Sequence, residues 1–93
     1  MVYQIVKNRI KPGTRELYSS ISREFCDAMV KFGAKSAQVL FDDADENVVV
    51  NITVWKDRSQ IDGFMASDIP GTFFPRLEAY FNGNESMILT EQV

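Results

Sequence analysis

The stretch between Lys11-Pro12-Gly13 and Gly33 constrains the fold most. Pro-Gly is a strong stop, and after it Leu17, Ile21, Phe25, Ala28, Met29 and Phe32 recur at steps of three and four. Arg15, Ser19, Ser20, Arg23, Asp27 and Lys31 fill the positions between. The spacing predicts an amphipathic helix of about five turns, with its apolar stripe in the core. Thr14 is placed as its N-cap, Glu16 in the first turn complements the helix dipole, and Gly33 closes the helix. Such a helix needs an apolar surface to lie on. The remainder of a 93-residue chain has room for about one sheet, in a single domain over residues 1–93.

The flanking segments supply that sheet. Val2–Ile10 is rich in β-formers, with Val2, Gln4, Val6, Asn8 and Ile10 on one face and Tyr3, Ile5, Lys7 and Arg9 on the other. Ser36–Phe41 and Val48–Trp55 read as a hairpin around the acidic loop Asp42–Asn47. The loop lacks the spacing and the turn glycine of a calcium-binding EF-hand, so it reads as a solvated turn. Asp57-Arg58-Ser59-Gln60 has the form of a capping box for a second helix carrying Ile61, Phe64 and Met65. Ile69-Pro70-Gly71 interrupts it, and a third short helix is expected over Thr72–Phe81, starting near Phe74 because Pro75 suits a first turn. Asn82-Gly83-Asn84 is expected to turn the chain into a last strand, Ser86 to Val93. The order β-α-β-β-α-β is an α+β fold of the ferredoxin-like, split βαβ kind with an antiparallel sheet. Helices on one face leave the other face bare, which predicts a symmetric homodimer packed sheet on sheet.

Composition removes whole classes of chemistry. The chain has no histidine, and with it go His-ligated zinc or haem, Ser-His-Asp triads and imidazole acid–base catalysis. Cys26 is the single cysteine, which excludes an internal disulfide and a CxxC site and suits a reducing, cytoplasmic setting. With no histidine to activate it, Cys26 reads as filler in the packing or on the surface. A net charge of −3 is poor footing for a phosphate backbone, so no nucleic-acid partner is expected. No signal-like start or membrane-length apolar run is visible, so no membrane partner is expected either. No metal site is expected.

The third strand carries the most informative polar residues. Val48, Val50, Ile52 and Val54 alternate with Val49, Asn51, Thr53 and Trp55, and the first row is expected to pack under the helices. Asn51 and Trp55 project to one side, about 13 Å apart along the strand. An amide and an indole donor on that side suit a flat, oxygen-bearing ligand; a buried tryptophan and a hydrogen-bonded asparagine are the plainer alternative. Asn8 faces the same cleft if the first and third strands are neighbours, or else is an edge amide bonded to backbone. Arg76 either neutralises a phenolate or superoxide at the mouth or is a helix-surface charge.

Asn8-Arg9, Lys11-Pro12-Gly13, Val54-Trp55-Lys56 and Ala66-Ser67-Asp68 together resemble the antibiotic biosynthesis monooxygenase superfamily, over nearly the whole chain. The resemblance implies a dimeric α/β barrel of ferredoxin-like protomers, each with a pocket between sheet and helices. In the haem-degrading branch, Asn8 matches the first-strand asparagine, while the tryptophan position falls on Phe64 and the axial histidine position near Phe74. A chain without histidine does not degrade haem by that mechanism, and Tyr3, Tyr18 and Tyr80 stand away from the family's ligand position. The cofactor-independent branch oxidises anthrones and hydroquinones with O2, and its polyketide-oxidising members pair an asparagine and a tryptophan with the spacing of Asn51 and Trp55. Arg76 lies close to an arginine of that branch, whereas Ile61 stands near the place of its tyrosine.

The resemblance therefore implies a cofactor-independent monooxygenase acting on a small electron-rich aromatic of quinol or anthrone type. Asn51 and Trp55 are its expected catalytic residues, and Asn8, Phe64, Phe74 and Arg76 its expected substrate-binding residues. No cofactor is expected. The alternative is a non-catalytic dimeric barrel whose phenylalanine-lined pocket only holds a small apolar ligand.

Overall fold

The computed structural model describes residues 1–92. In chain order these form β1 (Val2–Ile10), α1 (Arg15–Phe32), β2 (Ser36–Phe41), β3 (Val48–Trp55), α2 (Arg58–Met65), α3 (Ile69–Glu78) and β4 (Phe81–Thr90). The strands make one antiparallel sheet in the order β2-β3-β1-β4. This is the expected α+β, ferredoxin-like arrangement, with the second crossover split into two helices.

Local chemistry sets most boundaries. Gly33 takes φ 142° at the end of α1, and its N–H donates to Met29 O and Val30 O, which favours glycine there. At the start of α1, Thr14 turns its hydroxyl back to donate to Lys11 O (2.6 Å) and does not cap the helix. Asp57 caps α2 by accepting from the Gln60 N–H (3.0 Å), while Gln60 Oε1 accepts from the Lys56 N–H (2.8 Å). The acidic loop is held by Asx turns, Asp42 accepting from the Ala44 N–H (2.7 Å) and Asp45 from the Asn47 N–H (2.9 Å).

Further expectations are corrected. The helix α3 starts at Ile69, because Pro70 occupies the first turn, where its missing N–H costs nothing. Pro75 then lies inside the helix, and the carbonyl it leaves unpaired belongs to exposed Gly71. The last strand starts at Phe81 and not Ser86. Asn82-Gly83-Asn84 is no turn: Gly83, at φ 131°, pairs with Arg9 beside a register irregularity at Arg9/Ile10, so its conformational freedom serves a bulge. Val93, the expected end of that strand, lies outside the described residues.

Two more corrections concern faces. On α1 the buried residues are Tyr18, Ser19, Ser22, Cys26 and Met29, whereas Leu17 and Phe32 stay 55% and 42% exposed. The inward face is thus rotated by about one residue from the apolar stripe. On β3 the row under the helices is Val49, Asn51, Thr53 and Trp55, with Val49 and Trp55 fully buried. Val50, Ile52 and Val54 belong to the bare face. The helices bring aromatic bulk of their own, so the strand beneath them carries polar and small side chains as well as apolar ones. One core cluster joins Val2, Cys26, Met29, Trp55, Ile61 and Phe64; a second joins Ile10, Tyr18, Val49 and Leu77. Full burial of each such large side chain contributes about 1.5–3 kcal/mol.

Candidate functional site

Between the sheet and the helices lies a cavity of about 350 Å³, a size that suits a ligand of two or three fused rings. Its floor is polar. Gln4, Val6 and Asn8 of β1, Asn51 and Thr53 of β3, and Asn84 and Ser86 of β4 line it. These residues sit together because Val6 pairs with both Asn51 and Ser86, Gln4 with Thr53, and Asn8 with Asn84. Tyr18, Ser22, Phe25 and Met29 of α1 and Phe64, Met65, Phe74 and Leu77 of α2 and α3 form the roof and sides. Phe25 is the centre of the roof, with its ring 5.7 Å from Phe64, 5.1 Å from Phe73 and 5.7 Å from Phe74.

The floor amides are ordered by their partners. Asn8, only 4% exposed, donates from Nδ2 to Asn51 Oδ1 (2.8 Å) and Val49 O (3.1 Å), with Val6 O at 3.4 Å. Trp55 Nε1–H donates to Gln4 Oε1 (3.3 Å). Burial pushes the Cys26 thiol up, and a hydrogen bond from the Asn51 side chain partly offsets it. Burial likewise drives the Tyr18 phenol up to about 12, against the smaller lowering effect of its bond with Ser22. Both groups are therefore neutral near pH 7. Glu78, exposed at the rim, is the only charged residue lining the cavity among the described residues.

The structure brings Asn8, Asn51, Phe64 and Phe74 to one cavity. It does not bring Trp55 or Arg76 there. Trp55 is fully buried beside the cavity against Phe64, with ring centroids 5.4 Å apart and its N–H turned to Gln4. Arg76 faces outward, pairing with Glu24 at 2.9 Å. Sequence reasoning missed the wall residues of α1 and β4. Tyr18 and Ser22, four apart on α1, were the available signal for an inward polar edge beside the apolar stripe. Among the described residues, no group of three or more metal-ligating side chains converges.

The family model for antibiotic biosynthesis monooxygenases matches residues 1–75. The chain belongs to this family. No curated protein matches the sequence. Similar solved structures include SnoaB, a cofactor-independent oxygenase from Streptomyces nogalater, at 18% identity and TM-score 0.88, covering 99% of this chain and 93% of that one. A crystal structure of an antibiotic biosynthesis monooxygenase superposes at TM-score 0.87 and 19% identity over the full length of both chains. A conserved protein from Methanosarcina mazei Go1 gives TM-score 0.88 at 19% identity, covering 98% and 92%. At these identities the likeness shows the shared fold. Within the antibiotic biosynthesis monooxygenase fold, the cavity of this chain lies between its four strands and its three helices, roofed by phenylalanine and floored by carboxamides.

Proposed function

We propose that this protein is a cofactor-independent monooxygenase that oxidises a small electron-rich aromatic, of quinol or anthrone type, with O2. The observation that carries the reading is the pairing of an aromatic roof with a carboxamide floor inside a cavity of suitable volume. SnoaB, a relative of the same fold, is a cofactor-independent oxygenase. With an anthrone, the reactive CH2 becomes a carbonyl: the substrate loses a proton to give its enolate, which transfers an electron to O2, and the second oxygen atom leaves as water. The phenylalanine roof holds the rings flat, and Asn51, braced by Asn8, hydrogen-bonds the enolate oxygen as charge develops. Phe64 and Phe74 pack on the rings. Tyr18 and Cys26 hold their protons at neutral pH, so the substrate proton leaves by the mouth to solvent.

The bare sheet face is covered by a second copy in this reading, giving a homodimer, and the lone unpaired thiol suits the cytoplasm. Among the described residues, no helix is long and apolar enough to cross a membrane. The second reading is a small-ligand-binding protein. The neutral wall supports it, since neither Tyr18 nor Cys26 supplies a base near pH 7.

Oxygen uptake separates the two. Purified protein with chelator should accelerate oxidation of an anthrone or hydroquinone over buffer. Asn51→Ala should lower that rate by about 10-fold or more, the effect of losing one transition-state hydrogen bond. Saturable binding of the same aromatics without acceleration would favour the binding protein.

A further inference from the structure

We propose that Gln4 is a specificity-determining residue, whose amide N–H recognises a carbonyl or phenolate oxygen of the ligand, and that Trp55 is a positioning residue that turns Gln4 to do so. This deepens the oxygenase reading by naming the polarity of the ligand's edge. An indole can only donate and a peptide carbonyl can only accept. The Trp55 N–H therefore requires Gln4 to offer its Oε1 to the indole (3.3 Å). Gln4 Nε2 is left facing away, in a residue that lines the cavity and with no hydrogen-bond partner for that nitrogen among the described residues. The same logic runs along the other side. Val49 O requires Asn8 to present Nδ2, which in turn requires Asn51 to present Oδ1 to Asn8. The Asn51 amide nitrogen is then the end turned away from Asn8, in a residue that lines the cavity.

Two N–H donors thus rise from one floor. Asn51 pairs with Val6, two residues along β1 from Gln4 on the same face, which makes the two amides diagonal neighbours about 7–8 Å apart at Cα. Such a floor takes acceptor oxygens and disfavours an edge that carries only C–H. With no cation lining the cavity among the described residues, neutral donors such as these carry the distinction between a ketone or enolate and a plain hydrocarbon.

Equilibrium dialysis with 9-fluorenone and fluorene, which differ by one carbonyl oxygen, tests the proposal on the full chain. The wild-type protein should favour the ketone, beyond the difference in the two probes' aqueous solubility. Gln4→Leu should cut the ketone-to-hydrocarbon preference by about fivefold, the equivalent of one hydrogen bond. Trp55→Phe should also lower the preference, and should have no further effect on it when combined with Gln4→Leu. A packing defect weakens both probes alike and leaves the ratio where it was, so a damaged fold does not mimic the result. An unchanged ratio in Gln4→Leu, or a wild-type protein that binds neither probe or shows no ketone preference, overturns the proposal. Oxygen uptake that survives an unchanged ratio leaves the oxygenase reading standing without this assignment; a shifted ratio without oxygen uptake does the reverse.

Discussion

Tyr18, Asn8 and Trp55 show how burial redirects ordinary side chains. Burial holds the Tyr18 phenol at about 12, above the usual 10.0 of a tyrosine. Its contribution to stability is intact below pH 10 and is lost as the pH rises from 10 through 12, because the unfolded phenol ionises first. Denaturation in urea should show stability falling over that window by at most about 3 kcal/mol from this group, and Tyr18→Phe should remove that share of the fall. Asn8→Leu strands Asn51 Oδ1 and removes a second donor to Val49 O, so it should cost about 1–3 kcal/mol, measured by the same denaturation. The Asn8–Asn51 contact was legible beforehand, because alternation put both on one face once β1 and β3 were neighbours. The place of Trp55 was not. Alternation gives the side of a strand but not what covers it there, and the packing of Phe64 over the indole closes Trp55 off from the cavity. Arg76 was illegible for a related reason: what turns it outward is Glu24, which lies 52 residues away in sequence.

Among the elements, chemistry at the ends was easier to read than the facing of the middles. Gly33 and Asp57 announced the end of α1 and the start of α2, and both do the expected work in backbone hydrogen bonds. Gly33→Ala should cost about 1 kcal/mol or more by thermal melting. A side chain there is strained at φ 142°, and its Cβ would meet Gln60 Nε2 at 3.2 Å. Facing was misread where the cavity intrudes. Tyr18 and Ser22 turn inward because the core beneath α1 includes a polar cavity, while Leu17 yields to solvent. The β3 rows were exchanged for the complementary reason: an unbroken valine and isoleucine row looked like a core face, yet it is the face no helix covers. The Asn-Gly-Asn of β4 carried the sign of a turn, and pairing with Arg9 converted it into a bulge.

For the molecule as a whole, the bare face carries the proposal of a dimer. Strand register lines up Gln38, Ile52, Ile5 and Met87 across it, with Ser36, Val54, Tyr3 and Leu89 in the next row. Met87 and Leu89 are 54% and 47% exposed, a degree of apolar exposure that fits the proposed sheet-on-sheet dimer. Ile52→Lys, at the centre of that face, should convert a dimer into a monomer by light scattering; a wild-type chain that is monomeric at micromolar concentration contradicts the sheet-on-sheet dimer. The floor and roof of the cavity lie on the opposite face, so this variant separates assembly from ligand binding. The oxygenase reading itself is most directly tested by ¹⁸O2 with anthrone in the presence of chelator. The expected result is one ¹⁸O in the new carbonyl, formed faster than in buffer and slowed about 10-fold or more by Asn51→Ala. Labelled ketone that accumulates only at the buffer rate contradicts it.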